Sequence, residues 1–490
     1  MSLRLDRTRV KISAQLDETK RSELGQYLTP DVIARFMASL FSSETSAQAS
    51  LLDAGAGIGT LSAAFLDCWV SKSLPFEELA ITAYELDSTL ADELSRTLAS
   101  YSERSKHLAV EVKQTDFIED GLDQLQFRDG PSYTHAILNP PYGKIRTRSR
   151  ERKLLRCAGI ETVNLYSGFV AMALALLKPG GQLVAITPRS FCNGPYFRPF
   201  REFVLQRAAL TRLHLFDSRR SAFRDDSVLQ ENIIFMLRRD VPQGQVTVSH
   251  STDETMGDFV CETYPFSRIV QPWDNDLFIH VPGSLDPHPL IASRAIATSL
   301  ADLDIQVSTG PVVHYRAAKH LCQSLGENCM PLLYPMHFER EHIQWPRSRG
   351  KKPNAIRKTR ETYKHAFPSG HYVLVRRFSS KEEKRRIVAA VATPAMVPGA
   401  ELSFENHLNV FHHNRQGLDE TLAYGLMTYL NSSPIDEFFR SFSGHTQVNV
   451  ADLQKLPYPN AGELEKLGKW AMTRLPLSQD GIDLQVNAII

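Results

Sequence analysis

The sequence lacks an excess of charge of one sign, a close pair of cysteines and a long apolar run. Its 490 residues carry 56 Lys and Arg against 55 Asp and Glu, so affinity for nucleic acid has to come from local clusters. None of the six cysteines forms a Cys-x-x-Cys pair, which argues against a zinc ribbon, an iron–sulfur site or a disulfide framework. No run reaches the roughly 20 apolar residues of a membrane-spanning helix. We therefore expect a cytoplasmic protein without a metal and without a membrane partner.

The composition, with 42% hydrophobic and 23% charged residues, is that of a globular protein. Up to about residue 240, short β-branched runs alternate with turns and helical stretches, which is typical of an open α/β sheet. Beyond that point Pro and His become frequent and helical periodicity weakens. We predict two domains, 1–240 and 241–490, the second of α+β type.

Seven candidate strands follow from the first pattern. They are residues 50–54, 80–85, 108–115, 135–138, 182–187, 213–216 and 232–237. A helix is predicted at 167–177, ending at a Lys-Pro-Gly-Gly turn signal. Because little helical pattern separates the last two strands, we expect them to form a hairpin.

The first candidate strand runs into three glycines at alternate positions, Gly55, Gly57 and Gly59, just after Asp53. Glycines at the carboxyl end of a strand let the backbone turn tightly and approach a ligand. The spacing differs from the Gly-x-Gly-x-x-Gly that cradles a pyrophosphate, so a ligand without phosphates is favoured over a dinucleotide.

The next two candidate strands also end in polar side chains. Glu85 ends the second strand, where a carboxylate can accept both ribose hydroxyls of a nucleoside. Asp116 ends the third and can accept from an adenine amino group, while Phe117 can cover the ring face. The three strand ends together predict an adenosine-containing ligand.

The fourth candidate strand ends in Asn139-Pro140-Pro141-Tyr142. Two prolines remove two backbone donors, so the Asn139 side-chain oxygen and the Pro140 carbonyl stay available as acceptors. If each accepts one hydrogen of an amino group, the nitrogen lone pair is drawn out of conjugation and can attack a methyl sulfonium. Tyr142 can stack on the ring that carries the amine.

The order of these segments resembles the gamma class of S-adenosyl-L-methionine-dependent DNA methyltransferases that modify adenine N6, the TaqI-like type II modification enzymes. The resemblance covers residues 20–240 and includes the segment from Asn164 to Phe169, which lines the cofactor pocket in such enzymes. It implies a Rossmann-like mixed sheet of seven strands, S-adenosyl-L-methionine as cofactor, and an adenine flipped out of double-stranded DNA as acceptor. The cofactor-binding residues that it implies are Thr29, Asp53, Gly55, Gly57, Gly59, Glu85, Asp116, Phe117 and Asn139.

The resemblance adds roles for two residues outside the strand ends. Thr29, which precedes a helix predicted at 31–41, would hydrogen-bond the cofactor carboxylate. An aromatic residue would sandwich the extruded adenine against Tyr142, and we assign this role to Phe223, with Phe216 as the alternative. Stacking contributes about 1 to 3 kcal/mol per base, enough to offset a flipping cost of a few kcal/mol. The predicted catalytic residues are thus Asn139, Pro140, Tyr142 and Phe223.

Two basic stretches are candidates for contact with DNA phosphates. Residues 144–153 carry one acid among their charges, and we expect a mobile loop beside the extruded base. The second stretch extends from Arg347 to Arg386.

The C-terminal half also resembles the target-recognition domain of longer members grouped with the PstI and BsuBI modification enzymes. The segments that carry this resemblance are 307–313, 406–410 and 443–453. In the last of them His445, Gln447 and Asn449 can reach phosphates or base edges, or can equally hold the domain together.

Several alternatives keep the fold but change the acceptor to cytosine N4, an RNA base or a glutamine amide. Others are a catalytically idle DNA-binding subunit and a NAD-dependent oxidoreductase, in which Asn139-Pro140-Pro141-Tyr142 would have no task. Because few residues precede the cofactor segment, we expect methylation without cleavage. The expected enzyme is a monomer that acts on double-stranded DNA, with a separate cognate restriction endonuclease.

Overall fold

The described part of the chain comes from a computed structural model. It comprises residues 5, 8–12, 28–42, 47–127, 130–216, 232–253, 256–272, 274–282, 296, 298–347, 352–379, 383–443 and 447–489. The contacts between residues divide the chain into two units, Met1–Ser284 and Leu285–Ile490.

One sheet organises the first unit. Within the described ranges it has nine strands in the order β3-β2-β1-β4-β5-β7-β6-β8-β9. The strands are β1 (Gln48–Ala54), β2 (Glu78–Tyr84), β3 (Leu108–Lys113), β4 (Tyr133–Leu138), β5 (Leu177–Pro188), β6 (Ala208–Phe216), β7 (Asn232–Arg239), β8 (Val246–Ser251) and β9 (Val260–Tyr264). β1 pairs in parallel with both β2 and β4, and β2 pairs in parallel with β3.

Helices cover both faces of this sheet. They are α1 (Asp31–Ser39), α2 (Thr60–Val70), α3 (Ser88–Ser102), α4 (Phe117–Phe127), α5 (Arg150–Cys157), α6 (Leu165–Leu176), α7 (Arg198–Arg207) and α8 (Phe266–Ile269). Successive strand residues face opposite sides, so Leu51 belongs to the core beneath α1, α2 and α3, whereas Leu52 belongs to the core beneath α4, α6 and α7. Burial on both faces explains why the strands read as nearly continuous apolar runs.

The predicted strands are confirmed, and the last two of them, β6 and β7, pair antiparallel as predicted. The predicted number of seven strands and the predicted boundary at residue 240 are wrong. β8 pairs in parallel with β6, and β9 pairs antiparallel with β8, so the sheet continues to Tyr264. The unit that contains the sheet extends to Ser284. The Lys-Pro-Gly-Gly segment lies inside β5 rather than before it, where Gly180 has a φ of +80°.

The second unit contains two sheets and a group of helices, in agreement with an α+β organisation. A six-stranded sheet has the order β10-β20-β17-β18-β14-β13, and a five-stranded sheet has the order β11-β15-β12-β19-β16. The strands are β10 (Gln306–Thr309), β11 (Leu321–Cys322), β12 (Cys329–Leu333), β13 (Phe338–Glu339), β14 (His342–Ile343), β15 (Ala355–Arg357), β16 (Phe367–Pro368), β17 (Tyr372–Arg376), β18 (Ala389–Ala392), β19 (Glu401–Phe404) and β20 (Leu408–His412).

The helices of the second unit follow its strands in the chain. They are α9 (Glu420–Leu430), α10 (Ser433–Phe442), α11 (Val450–Gln454), α12 (Ala461–Met472) and α13 (Gln479–Asn487). The first two of these helices are separated by Asn431 and Ser432. Among the helices of the described residues, none is both long and apolar enough to cross a bilayer.

Helices α9 and α12 pack with their backbones in close contact, at two glycines. A methyl group on Gly425 would lie 1.8 Å from the carbonyl oxygen of Leu464, and one on Gly468 would lie 1.8 Å from that of Thr421. Backbone cannot yield as a flexible side chain does, so both positions exclude alanine at this helix separation.

We expect Gly425→Ala to destabilise the protein, although alanine is the better helix former. The helices would have to separate, and overpacking of this kind costs about 1 to 3 kcal/mol, more than the gain of roughly 0.5 to 1 kcal/mol in helix propensity. Thermal and urea unfolding of the full chain measure the change. Gly462→Ala, in the first turn of α12, is the matched control and should not destabilise. Equal stability of Gly425→Ala and the parent protein would contradict the close packing.

Candidate active site

The carboxyl ends of four adjacent parallel strands bring the predicted site residues to one edge of the sheet. In the order β3, β2, β1 and β4, these ends lead to Asp116, Glu85, the glycine segment and Asn139. The strands end nearly level, since Ala54 pairs with Tyr84 and Tyr84 with Lys113. The position between β1 and β4 is where the strand order reverses, the usual place for a ligand in an open α/β sheet.

The glycine segment turns away from β1 through backbone conformations that favour glycine. Gly55, Gly57 and Gly59 have φ angles of +78°, +57° and +85°. A side chain on Gly57 would also meet Leu28 Cδ2 at 2.8 Å. The loop can therefore approach a ligand closely only because these positions are glycine.

Asp53 lies beneath the glycine segment and is fully buried. Ser62 Oγ, on α2, donates to Asp53 Oδ2 at 2.6 Å, while Oδ1 is buried without a hydrogen-bond partner among the described residues. Burial raises the pKa of Asp53 to about 7, and the hydrogen bond from Ser62 offsets only part of this rise. Asp53 thus joins the end of β1 to helix α2.

Glu85 holds the glycine segment from the neighbouring strand. Its two carboxylate oxygens accept from the backbone N–H groups of Gly57, at 2.8 Å, and Asp87, at 2.9 Å. Burial raises the pKa of Glu85, and these backbone hydrogen bonds oppose the rise. Each carboxylate oxygen keeps a second lone pair, which suits it to accept ribose hydroxyls.

Asp116 begins helix α4 and uses only one oxygen to do so. Oδ1 accepts from the backbone N–H groups of Ile118, at 2.8 Å, and Glu119, at 3.1 Å. Oδ2 accepts no hydrogen bond from the described residues. It therefore remains available to a donor in the cleft, such as an adenine amino group.

Gly55, Gly57, Glu85 and Asp116 line one cleft of about 270 Å³, whereas Asp53 and Gly59 are not among its lining residues. Its apolar walls include Leu86, Leu90, Phe117, Ile118 and Phe169, and Phe117 packs against both Tyr84 and Phe169 with ring centroids 5.1 Å apart. Carboxylates at two strand ends, an apolar slot between them and a close backbone loop fit an adenosine group. The cleft therefore suits the predicted cofactor.

Asn139 lies at the mouth of the same cleft, which Pro141 also lines. Its side-chain Nδ2 donates to Thr29 Oγ1 at 3.0 Å, and its Oδ1 accepts from the Tyr142 hydroxyl at 3.1 Å. Thr29 and Tyr142 are buried, and the Tyr142 ring packs edge-on against Tyr166. The amide thus presents Oδ1 on the side of Tyr142 and Nδ2 on the side of Thr29.

The remaining predicted catalytic residues differ in how they are placed. Pro140 is buried between Asn139 and Pro141 at the end of β4. Phe223 lies outside the described residues. Its alternative, Phe216, is buried in β6 against His214, with centroids 4.7 Å apart, so Phe216 cannot stack on a base from that position.

The expectation of a mobile basic loop at 144–153 is wrong in its second half. Helix α5 begins at Arg150 and is capped by Ser149. Carboxylates neutralise part of the basic charge in this region: Arg150 pairs with Glu119, and Arg152 and Arg156 both pair with Glu161. The exposed basic side chains that form no ion pair with a described carboxylate are Lys144, Arg146, Arg148 and Lys153.

Several basic side chains of the second stretch, from Arg347 to Arg386, also form contacts within the protein. Arg386 is buried, donates to Ser379 Oγ at 3.1 Å and lies over the Phe439 ring. Arg347 and Lys358 pair with Glu339 and Glu401. These contacts within the second unit explain why a cluster in the sequence is not one continuous basic surface.

Two of the three candidate base-reading residues of the second unit form hydrogen bonds within that unit. Asn449 caps α11 together with Asp452, so it holds the domain together. Gln447 accepts from Arg377 at 3.3 Å. His445 lies outside the described residues.

The residues that line the cleft without being singled out by the sequence pattern include Leu86, Leu90, Ile118 and Glu151. Leu86 directly follows Glu85 and is 64% exposed, unusual for leucine beside a strand end. Glu151 reaches the cleft from α5, and a hydrogen bond with Ser149 lowers its pKa. Of these residues, only Leu86 could have been inferred from the sequence, because it directly follows the predicted ligand-binding carboxylate Glu85.

The chain is similar to several known proteins. The Eco57I restriction-modification methylase family matches residues 60–223. The chain is 45% identical to the type II methyltransferase M.BsuBI of Bacillus subtilis, over 99% of this chain and 97% of that protein. It is 42% identical to M.PstI of Providencia stuartii, over 95% and 93% of the two chains. In a solved DrdV–DNA complex the fold is similar, with a TM-score of 0.51 and 12% identity, over 94% of this chain and 58% of that one.

The raised pKa of Asp53 predicts how stability depends on pH. The folded protein retains this proton up to about pH 7, whereas the unfolded chain loses it near a pKa of about 3.9. Between these values the Asp53 contribution to the free energy of unfolding falls as pH rises, by at most about 1.4 kcal/mol per pH unit. We expect Asp53→Asn to become more stable relative to the parent as pH rises from about 4 to 7.

Urea unfolding of both proteins across this range measures the effect. Asp92→Asn, on the exposed side of α3, removes the same charge and should follow the parent protein at every pH. A constant difference between Asp53→Asn and the parent would show that Asp53 ionises normally in the folded protein.

Proposed function

The chain belongs to the type II methyltransferases of restriction-modification systems, and from this we propose that it methylates N6 of an adenine flipped out of double-stranded DNA. The enzyme uses S-adenosyl-L-methionine. The observation that carries the choice of acceptor is that Asn139 and Pro141 line the same cleft as Glu85 and Asp116. The acceptors proposed for the amino group thus lie next to the carboxylates proposed to bind the adenosine part of the cofactor.

S-adenosyl-L-methionine, when bound, supplies an electrophilic methyl group. Asn139 Oδ1 and the Pro140 carbonyl each accept one hydrogen of the adenine amino group, which frees its lone pair for the methyl carbon. An amide is not a base, so the surplus proton leaves to water. Glu85 and Asp116 bind the ribose and adenine of the cofactor in this proposal, and Asp53 joins the end of β1 to helix α2.

Tyr142 has two contacts in this proposal. Its hydroxyl donates to Asn139 Oδ1 in the structure described above. Oδ1 keeps a second lone pair for a hydrogen of the adenine amino group, and the Tyr142 ring stacks on the extruded base. Phe223 remains our assignment for the opposite side of that base, on the strength of the family resemblance.

Thr29 serves in this proposal as a positioning residue for Asn139. The hydroxyl oxygen accepts from Nδ2 at 3.0 Å, so it favours the amide orientation in which Oδ1 faces the acceptor. With the amide reversed, two N–H groups would oppose the hydrogens of the amine. The Thr29 hydroxyl keeps its own hydrogen, which can be donated to the cofactor carboxylate.

The remaining parts of the proposal concern organisation. Residues up to Ser284 form the catalytic unit, and the unit that begins at Leu285 reads the target sequence. The enzyme acts as a monomer in the cytoplasm, where chromosomal DNA and S-adenosyl-L-methionine are both present. Its cognate restriction endonuclease is a separate protein.

The base, its position and its sequence context can be read in one experiment. DNA from a methylation-free host that expresses this chain is analysed by single-molecule sequencing, and we expect N6-methyladenine in one sequence context. Asn139→Ala should abolish the signal, because it removes one of two acceptors for the amine. N4-methylcytosine in place of N6-methyladenine would overturn the assignment of the acceptor.

If Thr29 positions Asn139, its substitution should lower kcat more than it weakens the binding of S-adenosyl-L-methionine. Thr29→Val keeps the shape but removes the acceptor, and we expect kcat to fall about tenfold or more, which corresponds to about 1.4 kcal/mol. Thr29→Ser should restore kcat. If Thr29→Val instead weakens only the binding of S-adenosyl-L-methionine, measured by calorimetry, the residue serves the cofactor and not Asn139.

A further inference from the structure

A second cavity, of about 390 Å³, lies wholly within the second unit. It is lined by two turns, one following β10 at 311–320 and one at 361–365. None of its lining residues belongs to the cleft at the sheet edge of the first unit.

Backbone contacts hold the first turn against the sheets. The N–H groups of Gly310 and Val312 donate to the carbonyls of Leu408, at 2.8 Å, and Phe404, at 3.1 Å. A methyl group on Gly310 would lie 2.2 Å from the carbonyl oxygen of Glu405, so only glycine permits this approach.

The second turn is anchored by Thr362, which is buried. Its hydroxyl donates to the carbonyl of Arg357 at 2.6 Å and accepts from the N–H of Thr359 at 2.9 Å. Both walls of the cavity are therefore set before any ligand binds.

Positive charge predominates around this cavity. Arg316 and Lys364 line it and are exposed, and neither forms an ion pair with a described carboxylate. Arg415 donates to the carbonyls of Lys364 and Ala366 at 3.0 Å, which fixes a third cation beside the second turn.

A single acid lines the cavity in the described part of the chain, Glu361. It already pairs with Lys319, at 2.9 Å, and with His320, at 3.1 Å. Burial lowers the pKa of His365, and the charges of Lys364 and Arg415 lower it further, consistent with a positive field. Among the described residues that line the cavity, no carboxylate is left to balance Arg316 and Lys364.

An exposed aromatic ring adjoins these cations. Tyr315 is 72% exposed, and Arg316 Nε donates to its hydroxyl at 3.2 Å. The guanidinium lies 5.5 Å from the ring centroid. Exposed tyrosine beside arginine and lysine is a combination that contacts sugar and phosphate in nucleic acids.

We propose that this cavity binds a phosphodiester group of the DNA substrate, with Arg316 and Lys364 as the cations that pair with the phosphate oxygens. Tyr315 packs against the adjoining sugar or base. The assignment rests on the proposed action on DNA and names a contact that fixes the duplex on the second unit.

The test measures the Kd for an unmethylated DNA duplex that contains the target sequence, at several salt concentrations. Each phosphate contact contributes about 0.9 to the slope of log Kd against log salt concentration. Arg316→Ala/Lys364→Ala should weaken binding about tenfold at low salt and reduce this slope by about 1 to 2. Arg316→Lys/Lys364→Arg keeps both charges and should bind nearly as the parent does.

Lys466→Ala/Lys469→Ala, on the exposed side of α12, removes the same charge from the same unit and should change neither Kd nor slope. Thermal unfolding and the Kd for S-adenosyl-L-methionine check that each variant is folded. If the cavity variant binds the duplex with the parent's Kd and slope, the proposal is overturned.

Free inorganic phosphate is the other source of the same chemistry. It is titrated into the parent protein by calorimetry with and without duplex. Tight binding that the duplex does not displace would assign the cavity to a free anion and overturn the DNA contact. A parent protein that binds and modifies no duplex overturns the proposed function itself, a result distinct from a variant that binds normally.

Discussion

The site depends on the parallel pairing of β1 with its two neighbours. This pairing brings the carboxyl ends of β2, β1 and β4 to one edge, although more than 80 residues separate Asp53 from Asn139 in the chain. At that edge the chain turns through Gly55, Gly57 and Gly59, whose positive φ angles favour glycine, and these residues leave space for a ligand. The carboxylates of Glu85 and Asp116 therefore lie in the same cleft as Asn139.

Buried polar groups then stiffen this edge. Asp53 and Glu85 both lie in surroundings that disfavour their charge, and each is held by a hydrogen bond to the glycine segment or to the helix after it. Thr29 and Tyr142 hold the Asn139 amide from two sides. Such buried hydrogen bonds orient a group before a ligand arrives, so less orientation has to be achieved at the moment of reaction.

Much of the first unit could be predicted from local patterns. The strands, the terminal hairpin and the convergence of Glu85, Asp116 and Asn139 follow from alternation, turn signals and the geometry of parallel sheets. The number of strands could not, because β8 and β9 show no pattern that distinguishes an added sheet edge from a separate domain. Likewise the basic runs looked alike in sequence, yet Arg152 and Arg156 pair with Glu161, and Arg386 is buried.

By itself, the sequence determined which residue types meet at the ends of β1 to β4, because the order and spacing of strands set the chemistry available there. Only the tertiary structure decided which atoms of those residues are already engaged. It gave Asn139 its partners in Thr29 and Tyr142, and it divided the cations of the second unit between internal pairs and the open cavity of Arg316 and Lys364. Hydrogen bonds and ion pairs form between groups that are distant in the chain, and no local pattern encodes them.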